Sequence, residues 1–109
     1  IAFQPGGVVL AATSVDQSLR LWDAQSGTPI RTINAADEQG WYLTTAFSAD
    51  GSVLAAGALN GDLQLWNVRD GSEITRFDLS GSVFSIAFSP DGKQLAASVI
   101  DGTVRILKP

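Results

Sequence analysis

The sequence contains no histidine, cysteine or methionine, and only seven of its 109 residues are basic. The first absence excludes disulfides, thiolate or imidazole metal sites and cysteine nucleophiles, so we expect no cofactor and no bound metal. The second argues against a nucleic-acid partner, because such a partner requires clustered lysine and arginine and the net charge here is −4. No apolar run approaches the roughly 20 residues of a membrane-spanning helix, so a membrane partner is not expected either.

Catalysis would have to rest on the eleven carboxylates of the chain. Five of the aspartates stand where a turn requires a short polar side chain that can bond to the backbone: Asp16, Asp50, Asp70, Asp91 and Asp101. The spacing of a calcium-binding loop is absent, and every glycine follows the recurrence of the turns. We therefore predict no catalytic residues and a protein that is not an enzyme.

The chain does contain a tandem repeat. A turn phrase introduced by alanine and phenylalanine begins at Ala2, Ala46 and Ala87, with offsets of 44 and 41 residues. A second phrase, Leu-Arg-Leu-Trp-Asp at 19–23, recurs in the same register at 63–67 and 104–108. A period in the low forties is typical of a β-propeller blade, whose apolar faces must be covered by neighbouring blades.

Runs of β-branched and aromatic residues between turn residues predict about eleven short strands and no helix. In the third repeat, the strands at 83–88, 94–100 and 103–107 are separated by Ser-Pro-Asp-Gly at 89–92 and by Asp-Gly at 101–102. The Asp-Gly pair predicts a type I′ hairpin turn. Alanine pairs on the second strand of each repeat would let adjacent sheets approach closely. The predicted fold class is all-β, with propeller blades of four-stranded antiparallel sheets in an incomplete ring.

The phrase Leu21-Trp22-Asp23, the hairpin aspartates and the turn phrase at 89–92 resemble the tryptophan–aspartate (WD) repeat family of β-propellers. The resemblance covers about two and three-quarter repeats and implies a non-catalytic scaffold for protein–protein interaction. It also implies structural roles for the turn residues and tryptophans of the repeats, which are Asp16, Trp22, Asn60, Trp66 and Asp101. Because the chain has no histidine, no repeat can complete the family's buried network of histidine, hydroxyl, aspartate and tryptophan.

The repeats divide the chain into three blades. The first, at 1–36, is truncated at its start, the second spans 37–79, and the third, at 80–109, lacks its last strand. We therefore expect a fragment of a larger protein. The low charge and the alanine-rich strands resemble prokaryotic members of the family, in which such arrays often follow a signalling or nucleotide-binding domain.

Two features exceed the blade pattern and predict a binding site for a protein or peptide partner. The segment that joins the first and second repeats is longer than the next one and brings together two acids and two aromatic residues, Asp37, Glu38, Trp41 and Tyr42. The residue before each hairpin turn is apolar, and a propeller places these residues on one rim: Val15, Leu59 and Ile100. The alternative for both features is that the side chains pack between blades.

A second hypothesis concerns the partner itself. A closed propeller usually needs at least four blades. Further copies of this chain would then be the partner, and the protein would be a self-associating structural unit in which several copies complete a ring.

Overall fold

The computed structural model describes residues 1–14, 18–34 and 41–109, and within these ranges the backbone forms eleven strands and no helix. Numbered along the chain, the strands are β1 Ala2–Phe3, β2 Val9–Thr13, β3 Ser18–Asp23, β4 Pro29–Asn34, β5 Tyr42–Phe47, β6 Val53–Ala58, β7 Asp62–Asn67, β8 Glu73–Asp78, β9 Val83–Phe88, β10 Leu95–Val99 and β11 Val104–Leu107. In this described part, no helix is long and apolar enough to cross a membrane.

The strands form three antiparallel sheets whose strand order follows the sequence. The first sheet contains β1 to β4, the second contains β5 to β8, and the third contains β9 to β11. Within the second sheet, Leu54 lies opposite Trp66 and Ala55 opposite Leu65. The all-β class predicted from the sequence is confirmed. The predicted boundary between residues 36 and 37 lies outside the described residues.

The hairpin at 100–102 is not the type I′ turn that the sequence predicted. A type I′ turn needs positive φ at both central residues, but in this hairpin only Gly102 has a positive φ, of 87°. The Val99 amide donates to the Thr103 carbonyl at 3.0 Å, so three residues connect the strands. Oδ1 of Asp101 accepts bonds from the amide and the hydroxyl of Thr103 at 2.9 and 2.6 Å. This local bonding stabilises the turn while Asp101 keeps an ordinary φ.

Two hydrophobic cores lie between the sheets. The core between the first and second sheets includes Leu19, Leu54 and Trp66, and the core between the second and third includes Leu63 and Leu65. Because successive side chains of a strand point to opposite faces, β7 contributes Trp66 to one core and Leu65 to the other. The second sheet is thus covered on both faces.

The second and third sheets approach closely at Gly57 of β6. A Cβ atom placed there would lie 2.5 Å from Cγ1 of Val83 and 3.1 Å from Cγ2 of Thr44. The distance to Val83 is shorter than two carbon atoms tolerate without a shift, so this position favours a residue without a side chain. Gly57 adjoins the alanine pair of this strand, and all three residues are buried.

The outward faces of the first and third sheets remain open in the described structure. Val104 and Ile106 are 66% and 57% exposed, whereas Leu63 and Leu65, the equivalent residues of the second repeat, are 0% and 1% exposed. On the first sheet, Phe3 is 70% exposed, although its equivalent in the second repeat is buried. The three sheets therefore do not close on themselves and form part of a propeller.

Candidate functional site

One rim of the molecule is formed by the hairpin tips of the second and third sheets and by the segments that enter them. At this hairpin rim, the Leu59 amide donates to the Trp41 carbonyl at 2.7 Å. The Ile100 amide makes the equivalent bond to the Ser82 carbonyl at 3.0 Å. The rim therefore repeats one backbone arrangement in two successive blades.

The two halves of the hairpin rim are joined by a hydrogen bond between sheets. The hydroxyl of Ser82 donates to the Leu59 carbonyl at 2.6 Å. The Leu79 amide also donates to the carbonyl of Gly61 at 2.9 Å. Gly61 has a φ of 98°, and a Cβ atom there would lie 2.8 Å from the amide nitrogen of Gly81. The hairpin between β6 and β7 thus lies directly against the segment that connects the second and third sheets.

Three large apolar side chains are exposed on this rim. Trp41 is 42% exposed, Leu59 is 43% exposed and Ile100 is 62% exposed. Two carboxylates lie at the same end of the strands: Asp78 is exposed, and the side chain of Asp101 is 49% exposed. Hydrogen bonds donated by the hydroxyl of Thr103, and then by its amide, lower the pKa of Asp101, so this carboxylate is ionised near neutral pH. The rim combines an apolar arc with two carboxylates, of which that of Asp101 also pairs with the guanidinium of Arg105 at 3.4 Å.

The structure brings together three of the seven residues that the sequence proposed for partner binding, namely Trp41, Leu59 and Ile100. Tyr42, a fourth, is 4% exposed and belongs to the core between the first and second sheets. Its assignment to the binding surface is wrong, because the alternation of β5 turns its side chain inward. The other three, Val15, Asp37 and Glu38, lie outside the described residues.

The five residues with implied structural roles differ in their surroundings. Trp66 is 4% exposed and packs edge to face on Tyr42, with ring centroids 5.7 Å apart. Trp22, on the open face of the first sheet, is only half-buried. Oδ1 of Asn60 accepts a hydrogen bond from the Asp62 amide at 3.0 Å, as Asp101 does from its own hairpin. Asp16 lies outside the described residues.

A polar chain through the second sheet was missed by sequence reasoning. The hydroxyl of Tyr42 donates to Oε1 of the buried Gln64 at 2.8 Å, and Nε2 of Gln64 donates to Oε1 of Glu73 at 3.3 Å. Burial raises the pKa of Tyr42 to about 12, so its phenol remains neutral. A signal was present, since the second position of the second phrase is polar in every repeat. In the second repeat this residue lies in the core and bonds Tyr42, whereas the equivalent arginines lie nearer the surface.

Several carboxylates of the described residues, such as that of Asp50, accept hydrogen bonds within turns. Residues 1–14, 18–34 and 41–109 contain no group of three or more acidic side chains that could hold a metal ion. Asp50 accepts bonds from the hydroxyl and the amide of Ser52 and from the hydroxyl of Ser48. These bonds lower its pKa to about 2.

The repeated four-stranded sheets and their shared cores define a β-propeller architecture. A family model described as WD domain, G-beta repeat (WD40) matches residues 1–23, 27–67 and 71–107. The chain therefore belongs to the WD40 family. Propellers of this family are generally non-catalytic scaffolds for protein interactions.

The β-propeller domain of Cps50 (Swd1) from Myceliophteria thermophila is a structurally similar protein. Its crystal structure superimposes with a TM-score of 0.86 at 20% sequence identity. The match covers 97% of this chain and 33% of the other, so this chain spans about a third of that protein's length. At this identity the likeness concerns the fold alone.

Proposed function

We propose that this protein is an interaction scaffold whose hairpin rim binds a partner protein with a basic surface. The observation that carries the proposal is the exposed apolar arc of Trp41, Leu59 and Ile100 on a rim tied together by hydrogen bonds. A tryptophan within an apolar patch that has a polar border is typical of the centre of an interface.

The preference for a basic partner rests on charge. Asp78 and Asp101 border the arc, and the chain as a whole has a net charge of −4. Complementary charge mainly accelerates association and is screened by salt. Binding is therefore expected to weaken as the ionic strength is raised.

The test begins with a photoreactive amino acid at position 59, which would cross-link the partner to the rim. The affinity of the isolated partner is then measured for the wild type and for a W41A/L59A double variant. Loss of two interface anchors is expected to weaken binding at least tenfold, or about 1.4 kcal/mol. A V8A/I30A variant is the matched control, because Val8 and Ile30 are 42% and 49% exposed but lie away from the rim.

The control variant is expected to bind as the wild type does. Circular dichroism is used to check that both double variants are folded. Unchanged affinity in the folded W41A/L59A variant would contradict the proposal and move the interface to another surface. Binding that is insensitive to salt would contradict the basic partner.

Self-association is a second candidate, supported by the open face of the third sheet. Val104 and Ile106 present there the same kind of surface that Leu63 and Leu65 bury against the third sheet. Exposed apolar sheet faces and unpaired sheet edges promote association. A second copy could cover this face with the open face of its own first sheet.

Light scattering over a range of concentrations separates the two candidates. Self-association predicts a mass of a small fixed number of copies, reduced to that of a monomer by V104K or I106K. It also predicts marginal stability for the isolated chain, because repeats gain stability from each interface. A monomer with a sharp, concentration-independent unfolding transition above ~65 °C, beyond the usual mesophile range, would contradict it.

A further inference from the structure

A groove lies between the second and third sheets at the end of the strands opposite the hairpin rim. Its volume is about 380 Å³, which is in the range of sites that hold a side chain or a small ligand. The walls are mostly apolar and come from both sheets, with Val53, Leu65 and Ile74 on one side and Phe88 and Pro90 on the other. Two carboxylates, those of Asp50 and Asp91, also line the groove.

The groove arises from a difference between equivalent positions in two repeats. Between the first and second sheets, Gln4 extends across the interface, and its Nε2 donates to the carbonyl of Gly51 at 2.9 Å. The equivalent residue between the second and third sheets is Ser48, whose hydroxyl instead donates to Oδ1 of Asp50 at 2.8 Å within its own turn. The shorter side chain leaves the second interface without the bridge that the first one has.

The surroundings of two equivalent glycines show the same difference. A Cβ atom on Gly51 would lie 2.9 Å from Cγ of Gln4 and 3.0 Å from the carbonyl oxygen of Pro5. A Cβ atom on Gly92 would have no atom within 4 Å. The turn of the second repeat is therefore covered by the first sheet, whereas the turn of the third repeat stands free beside the groove.

The carboxylates determine which charge the groove accepts. Asp50 and Asp91 receive all their described hydrogen bonds on Oδ1, and among the described residues no donor bonds to Oδ2 of either. Hydrogen bonds from Ser52 lower the pKa of Asp50, and one from Ser89 lowers that of Asp91. Two ionised groups thus flank an apolar floor, with one oxygen of each available to a cationic donor.

We propose that this groove is a second binding site, which takes an extended peptide segment with one large apolar side chain flanked by lysine or arginine. The apolar side chain would lie between Leu65, Ile74 and Phe88, and the basic side chains would bond to Asp50 and Asp91. The site is independent of the hairpin rim, because the two lie at opposite ends of β6.

The test uses an end-capped heptapeptide of glycine and serine with a central phenylalanine between two lysines. It is titrated into the isotope-labelled protein and followed by NMR. Saturable shifts are expected for the amides of 48–53 and 88–92, while those of 59–61 and 100–102 stay in place. Replacing both lysines with glutamate, or the phenylalanine with alanine, is expected to weaken binding at least tenfold.

Two matched variants test the origin of the groove. In S48Q, the longer side chain is expected to reach across as Gln4 does, to fill the groove and to weaken binding at least tenfold. The exchange is compatible with the turn, since the Gln4 and Ser48 amides make equivalent bonds to Val9 and Val53, at 2.8 and 2.9 Å. The reverse exchange, Q4S, acts at the other interface and is expected to leave the affinity within about twofold. I74S, at a position that is 50% exposed, weakens the apolar wall without relying on the turn.

Several results would overturn the proposal. They are an absence of saturable binding at ~5 mM peptide, where a site with a Kd of about 1 mM would be roughly four-fifths filled, equal binding of the glutamate peptide, and shifts confined to the hairpin rim. Undiminished binding by both S48Q and I74S, with each shown to be folded, would have the same consequence. None of these results bears on the hairpin rim, whose test uses different residues and a different ligand.

Discussion

Replacing Trp66 with alanine tests how the blades are held together. Trp66 is 4% exposed, shares a core with Leu54 and Phe47, and packs edge to face on Tyr42. Truncating a buried tryptophan removes its transfer free energy and leaves a cavity, which together cost about 3–5 kcal/mol. The edge-to-face contact accounts for about 0.5–1.5 kcal/mol within that cost. We expect Trp66→Ala to destabilise the protein by this amount.

Trp22 is a matched control within the same chain. It occupies the equivalent position of the first repeat but faces the open side of the first sheet and is only half-buried. Because the cost scales with the apolar area removed from water, Trp22→Ala is expected to cost about 1–2 kcal/mol. A third variant, Trp66→Leu, introduces the residue that the third repeat has as Leu107, and it should have an intermediate cost.

Urea unfolding followed by far-ultraviolet circular dichroism measures these differences from the shift in midpoint at constant slope. This signal is preferable to fluorescence because tryptophan itself is removed. If Trp66→Ala changes the free energy of unfolding by less than ~0.5 kcal/mol, Trp66 does not hold the two sheets together. If Trp22→Ala costs as much as Trp66→Ala, another surface covers the first sheet.

Three further predictions concern pH and close packing. Burial raises the pKa of Tyr42 from 10.0 to about 12. Because the unfolded chain loses this proton at a lower pH than the folded protein does, the free energy of unfolding is unaffected below pH 10 and falls by up to about 2.7 kcal/mol as pH rises towards 12. Tyr42→Phe should therefore flatten the alkaline limb of a stability profile. Hydrogen bonds lower the pKa of Asp50 to about 2 and also lower that of Asp70. The resulting stabilisation is present above the unfolded value of 3.8 and is lost as pH falls towards 2, so the wild type should lose more stability than D50N on acidification to pH 2.5, and an equal loss in the two proteins would contradict this. Gly57→Ala should cost about 1–3 kcal/mol because its Cβ would lie 2.5 Å from Val83, and a G57A/V83A double variant should lose less stability than the sum of the single variants unless the contact is absent.

The repeat period, the strands and the small residues of the inner strands could be read from local patterns alone. Strand positions follow from side-chain alternation and turn residues, which depend on a few neighbouring residues. The turn type at 101–102 was predicted incorrectly because the Asp-Gly pair does not specify the number of residues in the hairpin loop. Asp101 bonds to Thr103 equally well in the three-residue turn that forms.

The candidate sites depended on contacts between repeats, which no local pattern encodes. Sequence identified Trp41, Leu59 and Ile100 by position in the repeat, but the bond from Ser82 to Leu59 that joins them forms only when two sheets pack. The sequence proposes the neighbours Tyr42 and Trp41 equally for the binding surface. Packing against the first sheet buries Tyr42 and leaves Trp41 exposed. Likewise, Gln4 and Ser48 occupy the same place in the repeat, and only the packed sheets show that Gln4 bridges its interface whereas Ser48 lines an open groove. Local sequence patterns suffice to place the strands of each blade, because a strand and its turns depend on neighbouring residues. Which surfaces of the blades remain exposed depends on how the sheets pack, because the residues that cover a surface lie far apart in the chain.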